Sequence, residues 1–147
     1  MYQRILIPTD GSVLAEKAVE QGLGLAKQLA AEVMSVFVWV PIQNNCPDII
    51  SGYTTPLPVD DVECQTQIAA AVNTRFSQYA SAAGLPNSSV VLIHDDPAQG
   101  IIQTAQEQNC DLIFMASHGH RGVKAMLLGS VTQAVLSRCQ IPVLVFR

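Results

Sequence analysis

The sequence predicts an α/β protein in which a parallel β-sheet lies between two layers of helices, a three-layer sandwich. Nearly continuous apolar runs such as 33–40 are typical of strands covered on both faces, as in parallel sheets. These runs alternate with segments of helical periodicity, which implies right-handed crossovers between parallel strands. The 147 residues contain no internal repeat, so the sequence predicts one domain spanning residues 1–147.

The first strand is predicted at Ile5–Ile7, a short apolar run that ends at Pro8. Turn residues follow, and Ser12 is expected to cap a helix that continues to about Ala30. The second strand is predicted at Glu32–Val40, because its apolar and β-branched residues form one uninterrupted run.

Residues 42–59 are rich in proline, glycine and asparagine and predict a long loop. Helical periodicity returns at Asp60 and continues to about Ala83, where Gly-Leu-Pro ends the helix. The third strand is predicted at Val90–Ile93.

The remaining elements follow the same alternation. Asp96 is expected to cap the third helix, with Pro97 at its first position and its end near Gln108. The fourth strand is predicted at 111–116, a short helix at 130–138, and the fifth strand at 141–146.

Composition excludes several classes of function. The net charge is −4 and no basic run occurs, which argues against a nucleic-acid surface. No apolar run reaches the roughly 18 residues of a membrane helix, and no leader pattern precedes the first strand, so we expect a cytoplasmic protein. The four cysteines form no metal-binding spacing and are expected to be free thiols that pack in the interior; no metal site is predicted.

The loop after the fourth strand carries the strongest functional pattern. Gly119 and Gly122 follow an apolar strand, and Gly129-Ser130 stands where a helix begins. Backbone without a side chain can approach a ligand closely, and a helix N-terminus offers unpaired N–H groups to an anion. Ser130 is expected at the N-cap. The alternative is that these glycines are turn residues and Ser130 an ordinary cap.

Other candidate residues have two interpretations each. Asp10 follows the first strand and could hold a ribose hydroxyl or a metal-bound water, or could be a turn residue that binds its own backbone. Val38 and Met115 could line a ligand pocket or be core residues. Arg121 could screen phosphate charge or be a solvated loop residue, and His118 could titrate near neutral pH.

No catalytic pattern accompanies these residues. The sequence lacks the phosphate-binding loop of P-loop NTPases, the dinucleotide fingerprint G-x-G-x-x-G and the nucleophile elbow G-x-S-x-G. It therefore predicts no catalytic residues and no efficient ATPase, although slow hydrolysis of a bound nucleotide stays compatible with the sequence.

The chain resembles the nucleotide-binding branch of the universal stress protein family. The resemblance is carried by the opening 5–12, the closing 142–146, and the nine residues that separate Gly119 from Gly129-Ser130. Ala116 departs from the family pattern, which has glycine there. We expect Ala116 to remain extended at the strand end, where alanine is tolerated.

The resemblance implies a fold similar to adenine nucleotide alpha hydrolases, with strand order 3-2-1-4-5, and an ATP-binding stress-response regulator that uses Mg²⁺. It also implies a homodimer formed through the last strand. The alternatives are an interaction module of the same family that binds no nucleotide, and an enzyme that uses the same pocket. The implied nucleotide-binding residues are Pro8, Thr9, Asp10, Val38, Met115, Ala116, His118, Gly119, Arg121, Gly129, Ser130 and Val131.

Overall fold

The computed structural model describes residues 1–41, 61–119 and 127–147, and of residues 61–65 it describes the backbone only. The predicted loop at 42–59 therefore lies outside the described residues. Five parallel strands form one sheet in the order β3-β2-β1-β4-β5, with helices on both faces, which confirms the predicted fold and strand order.

Strands and helices alternate along the chain as predicted. Their bounds are β1 Arg4–Pro8, α1 Val13–Leu29, β2 Glu32–Trp39, α2 Asp61–Ala82, β3 Asn87–Ile93, α3 Pro97–Glu107, β4 Leu112–Ala116, α4 Ser130–Arg138 and β5 Val143–Phe146.

The largest difference from the sequence prediction is at β3, which begins three residues earlier than expected. Asn87, Ser88 and Ser89 gave no apolar signal, yet they pair with β2 from Val33 onward. The buried Ser35 hydroxyl donates to Ser89 Oγ at 2.9 Å across the two strands. Because the buried Ser35 hydroxyl has its partner on β3, the sheet can extend into this polar sequence.

Each face of the sheet has its own apolar core, because strand side chains alternate between faces. The first core joins Ile5, Ile7 and Phe114 to α1 and to Phe76 of α2. The second joins residues such as Leu6, Met34 and Met115 to α3 and α4. The sheet is thus covered on both sides, as the continuous apolar runs predicted.

Two cysteines fall within the described side chains, Cys110 and Cys139, and both are free thiols. Both belong to the second core, and burial raises the pKa of the Cys110 thiol to about 11. Cys110 therefore stays protonated near neutral pH and packs as a small apolar residue.

Helix α1 begins and ends with recognisable caps. The Ser12 hydroxyl accepts the N–H of Ala15, as predicted, and Ala30 at the C-cap adopts a left-handed conformation with φ 54°. Within the helix, Gly22 is buried and lies against the sheet: a Cβ there would be 2.8 Å from Ile7 Cδ1 and 3.2 Å from Phe114 Cδ1. Gly24 faces open space.

These two glycines allow a matched test of packing between α1 and the sheet. Gly24→Ala should stabilise the protein by up to about 1 kcal/mol, because alanine favours the helix. Gly22→Ala gains the same propensity but crowds Ile7 and Phe114, at a cost of roughly 1–3 kcal/mol. Urea unfolding should therefore show Gly22→Ala less stable than Gly24→Ala by about 2 kcal/mol. Equal stabilities would contradict this description of the interface.

Candidate nucleotide site

The candidate site lies where the carboxyl ends of β1 and β4 are neighbours in the sheet. Helix α1 leaves β1 on one face, and α4 leaves β4 on the opposite face. The two connections diverge and leave a crevice, which is the position where open α/β sheets bind ligands. The predicted site residues Asp10, Gly119 and Gly129 are all in these two connections.

The β1–α1 turn is built by short-range hydrogen bonds. Thr9 donates its N–H to Val36 O at 3.0 Å, which extends the pairing of β1 with β2 by one residue. The buried Thr9 hydroxyl accepts the N–H of Gly11 at 3.3 Å, and Asp10 Oδ1 accepts the N–H of Ser12 at 2.9 Å. Asp10 is therefore a turn residue, which was one of its two interpretations. Its Oδ1 accepts a hydrogen bond within the turn.

The second carboxylate oxygen of Asp10 faces the loop after β4. A Cβ placed on Gly119 would collide with Asp10 Oδ2. Gly119 thus makes room for a protein carboxylate that crosses from β1 to the β4 loop. The sequence suggested that Gly119 lets a ligand approach the backbone closely. In the structure it also lets the Asp10 carboxylate approach.

Gly11 supports the same turn from the other side. Its φ is +76°, a conformation that glycine adopts without strain, and a Cβ would be 2.9 Å from Val72 Cγ2 of α2. Helix α2 therefore packs directly against the turn that carries Asp10.

Two hydrogen bonds fix helix α4 to the end of β4, and a third joins that end of β4 to β5. The buried Thr132 hydroxyl donates to Ala116 O at 3.0 Å. The N–H of Gly129 donates to Ser117 O at 2.7 Å, and the N–H of Ser117 donates to Phe146 O at 2.7 Å. The start of α4 is consequently held at a fixed height above β4 and β5.

The prediction that Ser130 is the N-cap of α4 was wrong by one position. Gly129 occupies the cap with extended backbone, φ −69° and ψ 157°, and within the described residues no side chain caps the helix. A Cβ at Gly129 would be 3.2 Å from Ser117 O, so the tight approach of the loop favours glycine at the cap. Ser130 becomes the first helical residue and is exposed. The positive end of α4 therefore opens toward the crevice without a side-chain cap.

Val38 and Met115 lie on the same face of the sheet, in the second core. Met115 is 4% exposed and is a core residue, whereas Val38, near the end of β2, is half-buried. Alternate residues of β2, among them Val36 and Val38, direct their peptide groups toward β1. Among the described residues, the last hydrogen bond between the two segments runs from the Thr9 N–H to Val36 O. The peptide edge of Val38 therefore faces the crevice above Thr9.

Ala116 is paired with Phe146 as an ordinary strand residue, which confirms that it stays extended. Its methyl group packs in the first core, on the opposite face from Val38 and Met115. Alanine at position 116 therefore affects the crevice only through its backbone.

Pro8, another predicted site residue, is buried at the end of β1.

Of the remaining predicted residues, His118 and Val131 are described by the structure and Arg121 is not. His118 is half-buried, and its Nδ1 lies 2.9 Å from Ser117 Oγ. Val131 in the first turn of α4 packs against the second core. Arg121 lies outside the described residues. Ser117 and Thr132, both buried, were not singled out from the sequence, where the available signal was a threonine two residues after Ser130.

Two further observations concern the described part of the chain. There, no group of three histidine, cysteine, aspartate or glutamate side chains is placed to hold a metal ion. None of the described helices combines the length and apolarity needed to cross a membrane.

An open groove of about 670 Å³ lies at the other edge of the sheet, between the amino ends of the strands. Its charged residues are already engaged: Arg4 pairs with Glu32 at 3.1 Å, and Asp111 accepts the N–H groups of Gln3 and Arg4. We therefore place the candidate site at the carboxyl edge, despite the size of this groove.

Comparison with known proteins agrees with this fold. The universal stress protein family model matches residues 1–147. The chain belongs to the universal stress protein family. A universal stress protein of Thermus aquaticus is 28% identical over 147 residues, which cover 100% of both chains.

Solved universal stress proteins share the architecture. One in complex with cAMP has a TM-score of 0.73 and 21% identity, covering 99% of this chain and 97% of its own. The universal stress protein of Archaeoglobus fulgidus in complex with dAMP has a TM-score of 0.71 and 17% identity, covering 99% and 98%. At these identities the likeness shows the fold.

The contact between Asp10 and Gly119 predicts strong coupling. Gly119→Ala should destabilise the unliganded protein by about 1–3 kcal/mol, because the new methyl group displaces the carboxylate. In an Asp10→Ala background the same change should cost less than about 0.5 kcal/mol, because the obstacle is gone. A urea-unfolding double-mutant cycle measures the difference, and additive costs would contradict the contact.

Proposed function

We propose that this protein is an ATP-binding universal stress protein, a nucleotide-dependent stress-response regulator without efficient catalysis. The observation that carries the proposal is the uncapped N-terminus of α4, fixed beside the turn of Asp10 at the crevice between β1 and β4. A helix terminus that none of the described side chains caps is suited to an anion.

The phosphates would be held by the backbone at the start of α4. Gly129, Ser130 and Val131 present N–H groups there, and the exposed Ser130 hydroxyl can donate to a phosphate oxygen. Asp10 would not contact phosphate directly, because like charges repel. A ribose hydroxyl suits its carboxylate, and Mg²⁺ bound with the triphosphate would reduce the repulsion.

The base would lie against the end of β2 and β4. Val38 offers a half-buried apolar side chain and a peptide edge that β1 no longer covers, so one residue provides both apolar contact and hydrogen-bonding groups. Met115 supports this surface from the second core. The complexes of related proteins with cAMP and dAMP support an adenine nucleotide as the ligand class.

A regulatory role follows from how the site is built. Among the described residues, the crevice contains positioned backbone groups and the carboxylate of the Asp10 turn, and the sequence offers no assembled nucleophile and base. Bound nucleotide would instead bias the position of the two connections and of α2, which packs on Gly11. We propose that the protein does this in the cytoplasm.

Isothermal titration with MgATP tests the proposal directly. Binding should release or absorb heat, and nucleotide at a hundredfold its Kd should stabilise the fold by about 2.7 kcal/mol, a rise of several degrees in Tm.

Ser130→Ala should weaken binding about tenfold, the effect of losing a hydrogen bond to a charged group. Ser137→Ala, at the opposite end of α4, is the matched control and should bind as the parent does.

Ala116→Gly restores the family glycine and should leave ATP affinity within about threefold, because the methyl group it removes lies in the first core.

Absence of heat and of any thermal shift at millimolar ATP would reject nucleotide binding and favour the interaction module. Turnover above about 1 per second would instead favour an enzyme.

We also propose that the protein is a homodimer formed by pairing β5 with its copy. β5 is an edge strand, and alternate residues direct their peptide groups toward β4, which leaves those of Val143 and Val145 facing outward. An apolar edge strand of this kind invites pairing with another chain.

Light scattering should give a dimer at tens of micromolar protein. Val145→Pro should shift the protein to monomer, because it removes an outward N–H without breaking the ladder to β4. Val91→Pro is the matched control: Val91 holds an outward-facing position on β3, the opposite edge. A monomeric parent protein, or equal effects of both variants, would contradict dimerisation through β5.

A further inference from the structure

We propose that His94 reads the base of the bound nucleotide, donating a hydrogen bond from Nε2 to a ring nitrogen of adenine. The inference rests on the proposed function and adds a side chain that neither the glycine pattern nor the family resemblance singled out.

The position of His94 brings it to the surface already assigned to the base. It follows β3 directly, and its N–H donates to Trp39 O at 3.0 Å, so it continues the pairing of β3 with β2. Strand alternation puts its side chain on the face that holds Leu92 and Val38.

Gly100 in the first turn of α3 confirms this convergence. A Cβ placed on Gly100 would lie 3.4 Å from His94 Cβ and 3.4 Å from Val38 Cγ1. The side chains of His94 and Val38 therefore both lie next to the same glycine. Because Gly100 has no side chain, α3 approaches the ends of β2 and β3 closely and leaves the two residues side by side at the carboxyl edge.

The imidazole ring is held in one orientation. Its Nδ1 accepts the N–H of Asp96 at 2.9 Å. Asp96 is itself fixed, because Oδ1 accepts the N–H of Gln99 at 3.2 Å and Oδ2 pairs with Arg138 at 2.6 Å. These same contacts hold the pKa of the Asp96 carboxyl below its usual value, so the ion pair persists in mildly acidic solution.

An accepting Nδ1 fixes the tautomer, so the hydrogen of the neutral ring is on Nε2. Within the described residues, no hydrogen bond engages Nε2, and the side chain is half-buried. The carboxyl ends of β2 and β3 thus carry an oriented donor near the apolar side chain of Val38, the usual composition of a site that recognises a flat heterocycle.

The chemistry of the donor indicates which ligand fits. Each unsubstituted ring nitrogen of adenine, N1, N3 and N7, accepts a hydrogen bond, so Nε2–H can pair with adenine by way of one of them. Guanine carries a hydrogen on N1 and would oppose the donor there. The energy is that of one neutral hydrogen bond, about a fivefold change in affinity.

His94→Asn is the informative variant. Asparagine can accept the N–H two residues on with its side-chain oxygen, so it preserves the turn at Asp96 while it removes Nε2. We expect unchanged Tm without nucleotide and ATP affinity reduced about fivefold by isothermal titration. Affinity for ribose 5-triphosphate, which has no base, should be unchanged.

Deaza analogues identify the partner atom. The parent protein should lose about fivefold in affinity for one of 1-deaza-, 3-deaza- and 7-deaza-ATP, and His94→Asn should lose nothing further with that analogue. If the parent binds ATP and His94→Asn binds it equally well, the role of His94 is rejected while nucleotide binding stands. Equal weakening toward ATP and ribose 5-triphosphate also rejects it. If the parent binds no nucleotide, the proposed function itself fails.

Discussion

The contact between the Asp10 carboxylate and the backbone at Gly119 is the constraint around which the site is arranged. It joins the turn after β1 to the loop after β4, the two connections that leave the sheet on opposite faces. Parallel strands that diverge in this way leave a crevice, and a carboxylate that spans it fixes the separation of its two sides. Gly119 is required because the carboxylate occupies the space a side chain would take.

The supports of this contact come from outside the crevice. Val72 of α2 packs on Gly11 behind the Asp10 turn, and Thr132 ties the first turn of α4 to Ala116 O. The Asp10 turn is therefore anchored to helix α2, and the N-terminus of α4 is anchored to strand β4. Ligand binding at such a site can use groups that are already positioned, which lowers the entropic cost of association.

The sequence predicted the fold well because its signals were local and strong. Continuous apolar runs marked β2 and β4, and Ser12 and Asp96 capped their helices as expected. The start of β3 escaped prediction because Ser88 and Ser89 are polar, and their strand conformation depends on pairing with β2. Strand order could not be obtained from periodicity and came from the family resemblance.

The site was predictable to a lesser extent, because its contacts are long-range. Glycine spacing located the start of α4 but placed the cap one residue too late, since the approach of Gly129 to Ser117 O is invisible in sequence. Asp10 and Gly119 were both selected, but no local pattern could reveal that they touch. His94 was overlooked because Val38 is far from it along the chain, and because the close approach of α3 at Gly100 is invisible in the sequence.

The central claim is that adenine nucleotide binds at the carboxyl edge of the sheet, between the Asp10 turn and α4. Amide chemical-shift mapping by NMR during titration with MgATP tests it most directly. The account predicts shifts concentrated at Asp10, Val38, Gly119 and 129–131. Shifts concentrated instead at the amino edge, around Arg4, Glu32 and Asp111, would contradict it.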